Sequence, residues 1–246
     1  MKFVVAKHVV RSLVAGSVML LATAGALSAQ DVQEFKPLKK TPVRRARRET
    51  NASREARIQR TINATYAHPW EVFGGGGYLR FRSGESTQKN NEVSWAVAVH
   101  RYLNPKFAVV GDVRGSFGRA HALKFNDLQQ IPNPQINEYT FMGGGNYRFY
   151  GKEKLALSIE GLAGAGWGLF SGGAKGLSGT QVGLWQDGVR PAFSVGLNLD
   201  YNFYPNLAFR VTPTYVGTTF ADATSGTKVQ NNMGFNMGVV YRFGSH

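Results

Sequence analysis

Alternation of apolar and polar residues dominates the chain from Trp70 to its last residues. In the stretch MGFNMGVVYRF, which begins at Met233, every second residue is large and apolar or aromatic. Strict alternation is typical of a strand whose two faces meet different surroundings. Eight such segments occur, and each is close to the length that crosses a bilayer as a tilted strand. They are Glu71–Arg82, Glu92–Leu103, Phe107–Arg119, Asn137–Phe149, Leu155–Phe170, Ala192–Phe203, Leu207–Phe220 and Asn232–Phe243.

The connections between these segments alternate between short and long. Three are short and rich in turn-forming residues: NPK at 104–106, YGKEK at 150–154 and YPN at 204–206. The long ones cover 83–91, 120–136, 171–191 and 221–231. Tight turns at one end and longer loops at the other are the layout of an outer-membrane barrel. The sequence therefore predicts an all-β fold, an eight-stranded antiparallel up-and-down transmembrane β-barrel.

The two faces of each segment indicate which one meets lipid. Bulky apolar residues gather on one face and charges on the other, with Arg101 near a strand end as the exception. An Arg or Lys at mid-bilayer on the lipid face costs roughly 2–4 kcal/mol, so we expect the apolar face to point outward. A soluble lipocalin-like barrel would have to enclose every aromatic residue of that face, and eight strands leave too little room.

The polar face predicts a charged lumen. Unpaired charges in a narrow lumen are costly, so we expect them to form ion pairs. Counting from the YPN turn places Asp200 opposite Arg210, and weaker counting places Arg114 near Glu138. A structural plug of ion pairs is favoured over a path for protons or ions. The predicted lumen residues are Arg80, Arg82, Glu92, His100, Asp112, Arg114, Glu138, Arg148, Glu160, Asp200, Arg210 and Arg242.

Aromatic residues lie near the segment ends, which predicts two interfacial girdles. We expect one at the short-turn end and one nearer the long loops. The short-turn set is Trp70, Tyr102, Phe107, Phe149, Phe203, Tyr241 and Phe243, and the loop set is Phe81, Trp95, Phe117, Tyr139, Trp167 and Phe220. The long loop at 171–191 also carries Leu184 and Trp185 among polar residues, and we expect them to lie on the barrel rim rather than to form a contact site for a partner.

The first 69 residues differ in composition from the barrel segments. Residues 1–29 have a basic start, an apolar run and the small residues ALSA, which predict a cleaved signal peptide and export. Residues 30–69 form a basic periplasmic extension, expected to be disordered or weakly helical. Its counter-charges are expected to be anionic lipid head groups or lipopolysaccharide phosphates rather than nucleic acid, although a solvated linker is an equally open interpretation. The barrel is assigned to residues 70–246.

The sequence offers little that points to catalysis or to a cofactor. Cys is absent, and GGGG at 74–77 lacks the Lys and Ser/Thr of a phosphate-binding loop. No His pair has metal-ligand spacing. We therefore expect no cofactor, no metal and no catalytic site, and classify the protein as a non-enzyme. A barrel enzyme remains an alternative, for which the acid/base candidates are His121, Asp127 and Glu85 on the long loops.

The last segment has a polar residue, a glycine two positions later and aromatic residues at alternate positions: Asn236, Gly238, Tyr241 and Phe243. With the segment count and the loop asymmetry, this chain resembles the OmpA-like family of eight-stranded outer-membrane β-barrels, and more loosely OmpX-like proteins, over residues 70–246. The family usually ends on the aromatic residue, whereas this chain continues with Gly-Ser-His. The resemblance implies a location in the outer membrane of a Gram-negative-type bacterium and recognition of this stretch by the barrel assembly machinery.

Three functions are compatible with these features. The first is a monomeric outer-membrane barrel with a sealed, ion-paired lumen, which has a structural or surface-interaction role through its extracellular loops. The second is a narrow pore for ions or small solutes. The third is the barrel enzyme already mentioned. A soluble β-sandwich is the alternative at the level of the fold.

Overall fold

The computed structural model describes residues 50–84, 87, 89–120, 134–172, 176–222, 226–227 and 229–244. The chain divides into two compact units, and the first of them, residues 1–48, lies outside the described residues. The predicted signal peptide and residues 30–49 of the predicted extension therefore lie outside them too. Within the described part of the chain no helix is long and apolar enough to cross a membrane, a finding that concerns helices alone.

Among the described residues, the second unit consists of one α-helix and a closed antiparallel barrel. Helix α1 covers Asn51–Tyr66. Ten strands follow, together with a short 3-10 helix at Thr180–Val182. The strands are β1 Trp70–Arg82, β2 Lys89–Tyr102, β3 Phe107–Arg119, β4 Gln135–Gly151, β5 Leu155–Gly172, β6 Gly188–Tyr204, β7 Leu207–Thr218, β8 Ala221–Asp222, β9 Gly226–Thr227 and β10 Gln230–Phe243.

Eight of these strands close into a barrel in the order β1-β10-β7-β6-β5-β4-β3-β2. Every neighbouring pair is antiparallel, and β1 and β10 close the barrel. Each predicted segment corresponds to one barrel strand, with ends that differ by at most four residues. The predicted fold class is confirmed. The small β8–β9 hairpin within the loop before β10 was not predicted.

The seam between β1 and β10 depends on glycine. A Cβ atom at Gly77 would lie 2.0 Å from the carbonyl oxygen of Phe235, and one at Gly238 would lie 2.2 Å from that of Gly74. Small residues in a strand permit this close approach of two backbones. The run GGGG is therefore a packing feature of the closing seam, in line with its position inside a predicted strand.

The last part of the basic extension forms a helix, α1. Thr50 caps it, because its hydroxyl oxygen accepts a hydrogen bond from the backbone N–H of Ser53 at 3.3 Å. Thr65 is buried, and the hydroxyl of Tyr66 donates to the carbonyl oxygen of Lys152 at 2.8 Å, in the β4–β5 turn. Of the two states expected for the extension, disordered or weakly helical, Asn51–Tyr66 adopts the helical one, because a cap and contacts with the barrel hold these residues.

The outer surface of the barrel is apolar and banded by aromatic residues. Exposed side chains such as Val97, Phe141 and Val239 cover the middle of the strands. Ring contacts connect Trp70 with Phe243 at the short-turn end. Nearer the loops, further ring contacts connect Tyr78 with Phe235, Phe117 with Tyr139, Tyr139 with Trp167, and Phe193 with Tyr215. Such an exterior suits lipid in the middle and the membrane interfaces at both ends.

Some predicted girdle residues nevertheless point inward. Tyr102 is buried in the lumen, and Phe81 and Phe220 belong to a buried cluster at the loop end. For Tyr102 and Phe81 the alternation of their strands decides this, because Tyr102 shares a face with His100 and Phe81 shares one with Glu71.

Candidate functional site in the barrel lumen

Glu71 is the centre of an ion-paired network in the short-turn half of the lumen. One of its carboxylate oxygens, Oε1, accepts hydrogen bonds from Arg148 at 2.6 Å and from Arg242 at 2.8 Å. The other, Oε2, accepts one from Arg210 at 2.9 Å. The side chain is 1% exposed. A fully buried carboxylate is tolerated here because three guanidinium groups surround it.

Asp200 is the second carboxylate of this network and confirms the predicted ion pair. It lies opposite Arg210 in the β6–β7 register. The guanidinium of Arg210 binds it in a bidentate manner, with Nε at 2.6 Å and Nη2 at 2.8 Å. Arg242 adds a bond to Oδ2 of Asp200 at 3.1 Å and donates to Oδ1 of Asn202 at 2.8 Å. Two carboxylates thus fix three arginines from three different strands.

A second group of charges lies beside the first. Arg114 binds Asp112 at 2.7 Å and approaches Glu160 at 3.6 Å. His100 connects the two groups, since its Nε2 lies 3.3 Å from Nη1 of Arg210 and 3.7 Å from Oε2 of Glu160. The two groups together match four arginines with four carboxylates. These are Arg114, Arg148, Arg210 and Arg242 with Glu71, Asp112, Glu160 and Asp200.

The predicted pair of Arg114 with Glu138 is wrong. The β3–β4 register places Thr140 opposite Arg114 and Ser116 opposite Glu138. The guanidinium of Arg114 instead binds Asp112, two residues away on the same face of β3. Glu138 does face the lumen, as predicted, and so does Glu92. The carboxylate oxygens of both residues have no hydrogen-bond partner among the described residues.

Arg80 and Arg82 were predicted to face the lumen, and this prediction is wrong. Both are exposed on the outer surface, while Phe73, Leu79 and Phe81 of the same strand point inward. The four glycines in the middle of β1 leave too few side chains to show which face is which. The prediction therefore assigned the faces of β1 from its charges, and these lie at the loop end, where an outward charge costs little.

For the same reason Glu71, the central residue of the network, was not among the predicted lumen residues. The sequence does contain a pattern that could have placed it, at the pair of strands that closes the barrel. Trp70 lies opposite Phe243, and both are interfacial aromatic residues. Aligning these two rings would have placed Glu71 opposite Arg242, which is the observed register. Directly opposite residues share a face, so Glu71 would have been assigned to the lumen.

Tyr66 at the end of α1 covers the short-turn end of the charge network. The guanidinium of Arg148 lies 4.6 Å from the centre of the Tyr66 ring and 4.1 Å from that of Tyr102. Asn202 donates to the hydroxyl of Tyr66 at 3.3 Å. Burial raises the pKa of Tyr66 above its ordinary value. Tyr66 was not singled out from the sequence, because nothing in the extension indicated contact with the barrel.

The loop end of the lumen holds a different, apolar cluster. Its rings are in contact: Phe170 and Phe220 meet edge to face at 5.0 Å, and Phe81 stacks on Phe170 at 6.0 Å. The loop before β6 adds Leu184 and Trp185, and the indole N–H of Trp185 donates to the carbonyl oxygen of Arg82 at 2.6 Å. The loop thus lies on the rim, as expected. The full cluster is Leu79, Phe81, Ala120, Ile136, Phe170, Leu184, Trp185, Val216 and Phe220.

Two cavities lie along the described part of the barrel, one inside the lumen and one at its short-turn rim. A cavity of about 20 Å³ next to Arg114, Glu138 and Thr140 is large enough for about one water molecule. A second and larger space, of about 380 Å³, lies at the short-turn rim between α1, the β2–β3 turn at Lys106 and the end of β4 at Gly151.

The proposed assembly stretch has the expected geometry. Asn236 faces the lumen, where its Oδ1 accepts a hydrogen bond from the hydroxyl of Ser94 at 3.0 Å. Gly238 lies in the glycine seam. Tyr241 and Phe243 are exposed on the outer surface at the short-turn end, and their rings stack at 6.0 Å. Recognition of this stretch by an assembly machinery stays a prediction.

The enzyme alternative gains no structural account. His121, Asp127 and Glu85 all lie outside the described residues. Within the described ranges no group of three or more His, Asp or Glu residues is placed to hold a metal ion.

Comparison with known proteins identifies the fold. No protein-family model and no curated protein matches the chain. Among solved structures, Neisserial surface protein A is 11% identical with a TM-score of 0.50, over 71% of this chain and 97% of that one. The outer membrane protein OprG of Pseudomonas aeruginosa is 11% identical with a TM-score of 0.48, over 73% and 98%. Ail, the attachment invasion locus protein of Yersinia pestis, is 19% identical with a TM-score of 0.44, over 71% and 97%. The predicted resemblance to small eight-stranded outer-membrane barrels is thereby confirmed for the fold.

Proposed function

We propose that the protein is a non-enzymatic integral membrane barrel of the bacterial outer membrane, with a lumen closed to ions and solutes and a structural or surface-interaction role for its loops. One observation carries this proposal: the lumen is obstructed twice, by unrelated means. The ion-paired network around Glu71 fills the short-turn half, and the aromatic cluster around Phe170 fills the loop half.

Each obstruction opposes conduction for a physical reason. An ion that enters the network has to displace guanidinium and carboxylate groups that are buried and hydrogen-bonded to one another, such as Arg210 with Asp200. Breaking a buried pair leaves an uncompensated charge, which costs several kcal/mol. An ion that enters from the loop side meets buried rings that offer it no ligands.

Planar-bilayer recording tests the closed lumen. We expect the folded, purified barrel to produce no reproducible single-channel steps. The matched measurement uses Arg210→Gln, which removes one cation from the middle of the network. The proposal would be refuted if the unaltered barrel gave reproducible single-channel steps and the Arg210→Gln variant gave steps of a different conductance. Such a result would show that ions pass through the lumen.

The loop role depends on the orientation of the barrel. We propose that the long loops face the cell exterior, that α1 and the short turns face the periplasm, and that the barrel is a monomer assembled through its C-terminal strand. Because the chain contains no Cys, single cysteines report orientation without background. A membrane-impermeant maleimide is expected to label Gln181→Cys, in the exposed loop before β6, on intact cells and to leave Asn206→Cys, in the β6–β7 turn, unlabelled. The reverse labelling would contradict the proposed orientation.

A further inference from the structure

Three cations form a cluster on the outer surface at the loop end of the barrel. Arg80 and Arg82 are exposed at the end of β1, and Lys89 is exposed at the start of β2. Arg82 lies directly opposite Lys89 in the β1–β2 register. Arg80 is two residues from Arg82 on the same face. All three side chains therefore leave the barrel from one small patch, which we call the outer basic patch.

The outer basic patch has no neutralising partner in the described part of the chain. The two residues directly opposite Arg80, Asn91 and Met233, are neutral. The ammonium group of Lys89 donates to the carbonyl oxygen of Asn231 at 2.9 Å, which leaves its charge in place. None of the ion pairs of the described residues includes Arg80, Arg82 or Lys89. By contrast, the four arginines of the lumen network are each bound to a carboxylate.

The position of the patch relative to the aromatic girdle fixes its surroundings. Tyr78 is the next outward residue of β1 after Arg80, towards the middle of the membrane, and its ring contacts Phe235 at 5.7 Å. Aromatic girdles lie at the level of the lipid head groups. The cations follow directly on the loop side of this ring pair, and they point sideways from the barrel. They therefore face neighbouring lipid head groups rather than the tips of the loops.

We propose that Arg80, Arg82 and Lys89 form a binding site for the phosphate groups of a glycolipid in the outer leaflet of the membrane. The proposal rests on the proposed function, because it needs the long loops to face the cell exterior. Two guanidinium groups and one ammonium group at this depth match a phosphate-bearing head group in charge and geometry, since guanidinium binds phosphate in a bidentate manner. The membrane itself holds lipid phosphates at this depth, whereas a soluble anion has to reach the patch from the water phase.

A triple variant and a matched control test the site. The test variant is Arg80→Gln, Arg82→Gln and Lys89→Gln together. The control is Lys106→Gln, Lys152→Gln and Lys154→Gln, which removes the same number of exposed cations from the short turns at the other end. Folding and insertion into phosphatidylcholine vesicles are measured first, by the gel mobility of heated and unheated samples, so that loss of the barrel is separated from loss of the site.

Binding is then measured on the folded, detergent-solubilised barrels with three probes. These are lipopolysaccharide, the same lipopolysaccharide after removal of its phosphates, and inorganic phosphate as a competitor. We expect the test variant to bind lipopolysaccharide roughly 100-fold more weakly than the unaltered protein, and the control to bind within about twofold. The dephosphorylated lipid should bind weakly to all three proteins, and inorganic phosphate at a concentration equal to that of the lipid should not displace it.

Three results would overturn the proposal. The first is a test variant that binds as tightly as the control. The second is equal binding of the dephosphorylated lipid, and the third is displacement by inorganic phosphate at the concentration of the lipid, which would indicate a site for free anions. If the triple variant does not fold, Arg82→Gln alone takes its place, with an expected loss of about fivefold, and Arg82→Lys, which keeps the charge, should recover part of that loss.

Discussion

The two halves of the lumen are occupied by opposite kinds of chemistry. In the short-turn half, three arginines bind two carboxylates at distances between 2.6 and 3.1 Å. In the loop half, four aromatic rings pack with aliphatic side chains. The polar closure depends on every member, because the removal of one leaves others buried and unpaired. The apolar closure is non-directional and tolerates changes that preserve volume.

The two halves also differ in how precisely their side chains must be placed. Arg210 binds Asp200 in a bidentate manner because the β6–β7 register places the two residues directly opposite each other. The apolar cluster recruits Leu184 and Trp185 from a loop, and their positions follow no strand register. The charged half therefore requires the register of the strands, while the apolar half adapts to it.

Glu71→Ala is expected to lower the free energy of unfolding by about 3–5 kcal/mol, because it leaves three buried arginines short of a partner. The measurement is the urea dependence of folding in lipid vesicles. Glu55→Ala, on the exposed surface of α1, is the control and should have an effect below about 0.5 kcal/mol. An effect of Glu71→Ala as small as that of the control would mean that the network does not stabilise the barrel.

Phe170→Leu is expected to cost roughly 1–2 kcal/mol, less than the loss of Glu71, because the neighbouring rings can repack around a smaller apolar side chain. The same urea measurement applies. Phe170→Ala, which leaves a larger cavity, is the matched comparison and should cost more than Phe170→Leu. If the leucine variant were as unstable as Glu71→Ala, the apolar half would be as demanding as the charged half, and the comparison would fail.

Tyr66→Phe is expected to cost about 1 kcal/mol, since it removes the hydrogen bonds to Lys152 and Asn202 and keeps the ring over Arg148. The difference also depends on pH. Burial raises the pKa of Tyr66, so the folded state retains a proton that the unfolded state releases above about pH 10. The stability of the unaltered protein should therefore fall more steeply above pH 10 than that of Tyr66→Phe, as measured by thermal unfolding. Parallel curves would contradict a half-buried phenol at this position.

Glu138→Gln should change the free energy of unfolding by less than about 0.5 kcal/mol, because no ion pair of Glu138 exists to be lost among the described residues. Glu71→Gln is the matched comparison, since the chemical change is the same and only the surroundings differ. A loss at Glu138 comparable to that at Glu71 would show that Glu138 has a partner. The same urea measurement distinguishes the two results.

The sequence predicts the barrel well because strand faces have a period of two and lipid imposes a strong contrast between them. The rule works where both faces carry side chains, as in β2, where Val93 and Trp95 point outward and Glu92 and Ser94 inward. It fails in β1, because its four glycines have no side chains that could distinguish an apolar face from a polar one. The placement of Arg80, Arg82 and Glu71 then has to come from the register with β10, and that register is a long-range property of the closed barrel.

The functional network is predictable to the extent that its contacts are local. Asp200 and Arg210 are ten residues apart across a tight turn, so counting from the turn places them opposite each other. Arg148 and Glu71 are 77 residues apart and meet across the lumen on strands that are not neighbours. Tyr66 comes from a segment with no strand pattern at all. Contacts of this kind depend on the width of the lumen and on side-chain reach, which a one-dimensional pattern does not contain.

The glycine seam has a consequence for how the barrel closes. Between Gly74 and Gly77 the first strand offers its partner no side chains, so this stretch cannot distinguish one alignment from another. The alignment of β1 on β10 must then be set at its two ends, by Glu71 with Arg242 on the inside and by Trp70 with Phe243 and Tyr78 with Phe235 on the outside. A slip of two residues would keep every face in place and break all of these contacts. Closure of the barrel thus rests on side-chain pairs at either end of a stretch of four glycines that cannot itself select the register.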